Sequence, residues 1–132
     1  MYDHISFGVT DLEKSLVFYD AALSALGVTR MFALSNEGIA GYKGAGGSTF
    51  WMYAKDQQQA SLGQIQPPPR LHLALQATSR SAVNAFYQGA IAQGGKDDGA
   101  PGIRAQYHAN YYAAYVFDPD GYKLEAVCHA PE

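Results

Sequence analysis

Three residues of the types that bind divalent metal ions each lie opposite apolar side chains in a short alternating segment. In LHLAL (71–75) the leucines would point to one face of a β-strand and His72 to the other. His4 alternates in the same way within HISFGV, and Glu125 within KLEAV. Two imidazoles and one carboxylate are the ligand set of a facial metal site with open positions. If the three segments meet, the sequence predicts a divalent cation that polarises a carbonyl or activates oxygen.

Each of the three residues also has a purely structural interpretation. A single strand histidine is usually a hydrogen-bonded residue without a metal, and His4 is close enough to the N-terminus to be solvated. Glu125 could pair with Lys123 or with Arg104 instead. The choice between these interpretations depends on whether His4 and His72 occupy equivalent positions.

The chain contains two copies of one sequence unit, offset by 68 residues, from position 4 to position 72. HISFGVTDLEKSLVFYDAALSALG aligns without a gap with HLALQATSRSAVNAFYQGAIAQGG. About one or two identities are expected by chance over this length. The identical pairs are His4/His72, Thr10/Thr78, Phe18/Phe86, Tyr19/Tyr87, Ala22/Ala90 and Gly27/Gly95. Two unrelated strand–helix pairs would explain the apolar pattern but not the matching histidines, so the repeat favours the metal site.

Each copy is predicted to form a strand, a helix and three further strands. Thr10 and Glu13 match a capping box at the start of the first helix, and Gly27 is a plausible C-terminal cap. The later strands are RMFAL, AGYKG and STFWMYA in the first copy, and IRAQYH, YYAAYVF and YKLEAVCH in the second. DPDG (118–121) is a strong turn signal between the last two strands.

The predicted fold class is α+β, with two tandem βαβββ modules that form a curved, barrel-like mixed sheet with the helices on its outer face. We expect one domain over residues 1–132. Module one covers about 1–56, a polar, proline-ending connector covers about 57–70, and module two covers about 71–132.

Composition excludes several other functions. A net charge of −3 provides no basic surface for nucleic acid, and no apolar run is long enough to span a membrane. The N-terminus shows no charged-then-apolar leader, so we expect no secretion signal. The single cysteine, Cys128, alternates with core residues and cannot form an internal disulfide, so a cytoplasmic location is expected.

The motifs HISFGVTDLEKSLVFYDAAL, LHLAL and FDPDGYKLEAV resemble the vicinal oxygen chelate superfamily. This superfamily includes glyoxalase I, extradiol dioxygenases, fosfomycin-resistance enzymes and bleomycin-resistance proteins, and the resemblance covers nearly the whole chain. It implies metal ligands on the first strand of each module and on the last strand, which match His4, His72 and Glu125. It also implies a divalent ion such as Fe, Mn, Ni or Zn, and a homodimer in which one site can draw ligands from two chains.

Trp51 departs from the glyoxalase I pattern. Glyoxalase I has a fourth protein ligand near the end of the first module. In this chain that position is Trp51, which is the repeat equivalent of Glu125 in the second module. Tryptophan has no lone pair to give a metal, so true glyoxalase I activity is not expected. Trp51 and Tyr53 could instead stack on a flat ligand, or Trp51 could simply fill part of the hollow on the inner side of the curved sheet.

The segment QYHANYY (106–112) is the second cluster with chemical potential. His108 could act as an acid or base near neutral pH, and Tyr111 is a second candidate catalytic residue. A polar–aromatic sheet edge is the structural alternative. His129 lies two and four residues beyond Val127 and Glu125 on the same predicted face, and it could reach the mouth of the hollow in the curved sheet or belong to a frayed terminus. The remaining candidates for ligand contact are Tyr107, Tyr112 and Arg104.

The sequence therefore favours a metal-dependent enzyme of lyase, isomerase or dioxygenase type that acts on a small oxygen-rich substrate. The alternative is a metal-free protein of the bleomycin-resistance kind that sequesters a small aromatic ligand. A dimeric scaffold without a small ligand is the third possibility. Neither nucleic acid nor a membrane is an expected partner.

Overall fold

A computed structural model describes residues 3–54 and 71–131, so the predicted connector at 57–70 lies outside the described residues. The elements of the first module are β1 (His4–Val9), α1 (Leu12–Leu23), β2 (Thr29–Leu34), β3 (Ile39–Lys43) and β4 (Thr49–Ala54). Those of the second module are β5 (His72–Gln76), α2 (Arg80–Ala92), β6 (Lys96–Ile103), β7 (Tyr112–Phe117) and β8 (Lys123–Cys128). Single 3₁₀ turns cover Ser24–Leu26 and Ser35–Glu37.

The two modules have the same sheet topology. The strand orders are β1-β4-β3-β2 and β5-β8-β7-β6, and in each sheet only the pair that contains the first strand is parallel. Ser6 pairs with Trp51 in the first sheet, and Ala74 pairs with Glu125 in the second. The prediction of two βαβββ modules is therefore confirmed, and Trp51 and Glu125 occupy equivalent positions.

The helices cover one face of each sheet and also pack against each other. Alternate strand residues such as Met52 and Leu124 are buried beneath the helices with Phe18 and Phe86 in one apolar cluster. The contact between α1 and α2 is close at Gly89, where an added Cβ would lie 2.5 Å from a backbone oxygen of α1. Among the described residues, no helix lies on the opposite face of either sheet, and we call this face the open face.

The DPDG turn of the second module binds the first module. Asp120 accepts hydrogen bonds from the backbone N–H of Thr10 at 3.1 Å and from its hydroxyl at 2.5 Å. Asp118, which is buried, accepts a 2.7 Å bond from the Tyr19 hydroxyl. The Tyr122 hydroxyl donates to the carbonyl oxygen of residue 8 at 2.7 Å. These bonds tie the β7–β8 turn to the start of α1.

The first helix is not capped as the sequence predicts. Its N-cap is Asp11, which accepts from the backbone N–H of Lys14, and the helix begins at Leu12. The Thr10 hydroxyl is used by Asp120 instead, and Glu13 accepts from the hydroxyl of Ser35. The capping-box prediction is wrong because both of its members bind partners that are distant in sequence.

The prediction of a strand at IRAQYH (103–108) is also wrong. β6 ends at Ile103, and tight turns follow, in which Tyr107 N–H donates to the Arg104 carbonyl at 2.9 Å. Arg104 N–H in turn donates to the Tyr111 carbonyl at 2.7 Å, which closes the β6–β7 hairpin. Within the described parts of the chain, neither helix is both long and apolar enough to cross a membrane.

Candidate functional site

The open face of the second sheet brings together a histidine, a carboxylate and a phenol. His72 Nε2 lies 2.9 Å from Oε2 of Glu125, and the Tyr111 hydroxyl donates to Oε1 over 2.5 Å. The Glu125 side chain is 3% exposed, whereas that of His72 is 50% exposed. A buried carboxylate with both oxygens engaged therefore faces an imidazole that solvent and ligands can reach.

Strand register explains why these side chains meet. Ala74 of β5 and Tyr115 of β7 flank Glu125 of β8 on either side. His72, two residues before Ala74, shares the face of Glu125 because side chains alternate along a strand. Tyr111 directly precedes β7 and is fixed by the turn that follows β6, because its N–H donates to the carbonyl of residue 108 at 3.1 Å.

Two phenols beside Glu125 stay protonated at neutral pH. Burial, followed by the hydrogen bond and charge of Glu125, raises the pKa of Tyr111 above its usual value. Burial, and then the charge of Glu125, also raises the pKa of Tyr115. A phenol with a raised pKa is a hydrogen-bond donor rather than a base near pH 7. Tyr111 therefore donates its single hydroxyl proton to the carboxylate of Glu125 and holds it in place.

Tyr115 is not among the residues that the sequence predicts for the site, although it lies directly across from Glu125. Its ring centroid is 6.5 Å from that of His72. The signal that could have found it is the alternation in YAAYVF, since Val116 and Ala114 are buried beneath the helices and Tyr115 must point the other way.

His108 and His129 form a second histidine cluster at the margin of this face. His108 Nε2 lies 2.8 Å from His129 Nδ1, and His108 Nδ1 accepts from the backbone N–H of Asn110 at 3.1 Å. Because that Nδ1 is an acceptor, the proton of a neutral His108 is on Nε2 and is donated to His129. The geometry assigns the pair to hydrogen bonding between the β6–β7 turn and the end of β8.

The other tyrosines of this segment differ in placement. Tyr107 is 62% exposed, and its ring lies 4.7 Å from that of Tyr111. Tyr112 points to the helix side, where its hydroxyl donates to Oδ1 of Asn84 on α2 at 2.8 Å. The structure therefore brings Tyr107 to the neighbourhood of Tyr111 but not Tyr112, because consecutive residues at the start of β7 face opposite sides.

His4, the third predicted metal ligand, lies on the first sheet. It pairs in register with Thr49, its side chain is 56% exposed, and its Nδ1 is 2.6 Å from an Asp3 oxygen. Within residues 3–54 and 71–131, no group of three His, Cys, Asp or Glu side chains is placed to hold a metal ion. Within one chain, His4 therefore does not complete the pair formed by His72 and Glu125.

Trp51 and Tyr53 share the open face of the first sheet. Trp51 is half-buried, and its ring centroid lies 5.4 Å from that of Phe32 in an edge-to-face contact. Gly41 leaves room for the Phe32 ring, because a Cβ there would lie 3.1 Å from it. Trp51 thus belongs to an aromatic surface on the first sheet.

The spacing of the His72–Glu125 pair fits one divalent cation. Bonds of about 2.0–2.2 Å to a nitrogen and an oxygen at a right angle place the two ligand atoms about 2.9 Å apart. The observed separation of Nε2 and Oε2 is 2.9 Å. The imidazole nitrogen and carboxylate oxygen also suit Fe, Mn, Ni and Zn. Two of the predicted ligands therefore have the chemistry and the spacing for a shared metal ion.

In the described part of the chain, two four-stranded sheets of one topology each have a helix packed on one face, which defines the class of proteins built from paired βαβββ modules. The chain belongs to the Glyoxalase/Bleomycin resistance protein/Dioxygenase superfamily, whose family model matches residues 2–126. A comparison with curated protein sequences finds no significant match.

Three solved structures illustrate the similarity. A glyoxalase/bleomycin resistance protein from Albidiferax ferrireducens T118 is 32% identical, with 99% of each chain covered and a TM-score of 0.75. A glyoxalase-related enzyme from Fulvimarina pelagi is 22% identical over 97% of this chain and 87% of its own, with a TM-score of 0.78. Lactoylglutathione lyase from Agrobacterium tumefaciens is 14% identical over 97% and 92%, with a TM-score of 0.69. The last two similarities concern the fold alone.

Proposed function

We propose that this protein is a divalent-metal-dependent enzyme of lyase, isomerase or dioxygenase type that acts on a small oxygen-rich substrate. The observation that supports this proposal is the His72–Glu125 pair, which has the ligand atoms and the spacing for one cation. When bound, the metal would act as a Lewis acid on adjacent substrate oxygens. The buried, uncrosslinked Cys128 is compatible with the cytoplasmic location that we propose.

The chain's own residues prepare this site for a ligand. Tyr111 fixes the carboxylate of Glu125 through Oε1 and leaves Oε2 toward His72. Tyr115 adds a second protonated phenol beside the same carboxylate. Because the single O–H of Tyr111 is donated to Glu125, Tyr115 is the phenol that would donate a hydrogen bond to an oxygen that gains negative charge during the reaction.

We further propose that the third ligand, His4, comes from a second copy in a homodimer. β1 and β5 are edge strands, and both His4 and His72 have half of their side chains exposed. An exposed strand edge can approach another chain. A site shared in this way would be complete only in the dimer, because His4 and His72 of one chain lie on different sheets.

Metal analysis tests the proposed function. Protein purified without chelator and without a nickel column is titrated with Mn, Fe, Ni and Zn and analysed for bound metal. We expect about one equivalent per chain for at least one metal. His72→Ala and Glu125→Gln should abolish this binding, whereas His129→Gln is the matched histidine control and should retain it. Less than about a tenth of an equivalent with every metal would contradict the proposal.

The aromatic surface of the first sheet supports a second candidate function, sequestration of a flat ligand without metal. Trp51 is the single tryptophan, so its fluorescence reports directly on this surface. A panel of planar aromatic compounds is titrated into the metal-free protein and into His4→Ala and His72→Ala. Quenching with equal affinity in all three proteins supports sequestration, and the absence of quenching by any compound in the metal-free protein contradicts it.

A further inference from the structure

The surroundings of Arg104, on the open face of the second sheet, indicate the chemical class of the ligand. We propose that the ligand carries an anionic group, a carboxylate or a phosphate-type oxyanion, that binds the guanidinium of Arg104. This inference deepens the proposed function because it concerns the ligand of the same face. It is tested with metal-free protein, so that it can fail or succeed independently.

The guanidinium of Arg104 lies over the ring of Tyr115. The guanidinium carbon lies 5.4 Å from the centroid of Tyr115. Tyr115 pairs in register with Glu125, and its ring neighbours that of His72 at 6.5 Å. A ligand that contacts His72 and Glu125 on one side of this ring can therefore reach the guanidinium with a second group.

Of the two cations beside Tyr115 in the described part of the chain, one is in an ion pair and the other, Arg104, is not. The ammonium of Lys123 lies 4.7 Å from the same ring centroid, and it is paired with Asp98 at 2.8 Å. Arg104 donates through Nη2 to the carbonyl oxygen of Ala100 at 2.6 Å. Within residues 3–54 and 71–131, no acidic side chain forms an ion pair with Arg104. A half-buried guanidinium with most of its five N–H donors left over is suited to an anion.

The irregular course of β6 makes room for this guanidinium. The pairing of β6 with β7 shifts register on both sides of Gly99, whose φ is +151°. A Cβ on Gly99 would lie 3.3 Å from Nη2 of Arg104 and 2.8 Å from the Tyr115 ring. A Cβ on Gly102 would lie 3.1 Å from Nη1. Two glycines thus provide the space that Arg104 occupies over Tyr115.

The chemistry of the guanidinium defines what would bind. Its planar arrangement of N–H donors matches two oxygens of a carboxylate or phosphate at once, which a single ammonium does not. The ligand would therefore combine oxygens that reach His72 and Glu125 with an oxyanion at Arg104.

The probes are inorganic phosphate and malonate, titrated into metal-free, full-length protein by calorimetry and by NMR of the arginine Nε–H signals. We expect both anions to shift the Arg104 signal. Arg104→Gln should weaken binding by about tenfold or more, as is typical when charge-assisted hydrogen bonds are lost. Arg30→Gln is the matched control, because Arg30 is already paired with Asp20 at 3.0 Å, and it should bind both anions like the unmodified protein.

Two further variants keep the test decisive. Arg104→Lys keeps the positive charge but lacks the planar arrangement of N–H donors, and it should bind malonate more weakly than the unmodified protein does. Gly102→Val, which crowds Nη1, should also weaken binding while the circular dichroism spectrum is unchanged. Equal affinity of Arg104→Gln and the unmodified protein, or no binding of either anion, overturns the inference. Retained anion binding by Glu125→Gln would support it even if metal binding fails.

Discussion

Replacement of Tyr111 by phenylalanine removes only the hydroxyl that donates to Oε1 of Glu125 over 2.5 Å. The Glu125 side chain is 3% exposed, so water cannot readily replace the lost donor. A hydrogen bond to a charged group contributes about 1.5–3 kcal/mol to the free energy of unfolding. With a urea dependence of about 1–3 kcal/mol per molar for a small protein, we expect the midpoint of Tyr111→Phe to fall by about 1 M.

The assay is urea unfolding followed by circular dichroism for Tyr111→Phe, Glu125→Gln and the double variant. Because both changes affect one hydrogen bond, we expect their free energies to be coupled by about 1 kcal/mol or more. Tyr107→Phe is the matched control, since Tyr107 is exposed and its ring lies next to that of Tyr111 at a tilt of 48°. Additivity within about 0.3–0.5 kcal/mol, or an equal loss in Tyr107→Phe, would refute the reasoning.

Three further predictions concern the framework. Gly89→Ala should lower the unfolding free energy by about 1–3 kcal/mol in thermal melts because its Cβ has no room between the helices, whereas Gly46→Ala, which enters open space, should not. Burial, followed by nearby carboxylates, raises the pKa of Tyr122 to about 12, so its stabilising contribution should be complete below pH 10 and lost as pH rises toward 12. When urea midpoints are measured at pH 8, 10 and 11, the midpoint of Tyr122→Phe should fall less with rising pH than that of the unmodified protein. An equal fall in both proteins would contradict this. Asp120→Ala should accelerate hydrogen exchange at the Thr10 amide, whose acceptor it removes, and an unchanged rate would show that this bond does not protect the amide.

The framework could be predicted because its signals are local. Alternation along strands and helical spacing of apolar residues depend on near neighbours in the chain. The repeat added the one non-local inference that the structure supports, namely that the second module presents His72 and Glu125 on one face. Their 2.9 Å contact follows from the parallel pairing of β5 and β8.

The details that the sequence did not predict depend on distant partners. The Thr10 hydroxyl binds Asp120, which is 110 residues away, and no local pattern reveals that choice over a capping box. The strand predicted at IRAQYH contains residues acceptable in a strand, but backbone hydrogen bonds from Arg104 to Tyr111 close a turn there. The His108–His129 contact likewise requires the hairpin and the end of β8 to be in place.

The most direct test of a metal site shared between two chains is complementation between His4→Ala and His72→Ala. Each variant alone should bind little metal, because every site in its dimer lacks one histidine. After unfolding and refolding as an equal mixture, half of the dimers contain both variants and one complete site, so about a quarter of an equivalent per chain should return. Binding that stays absent in the mixture, or full binding by His4→Ala alone, would contradict a site completed by His4 of the partner subunit.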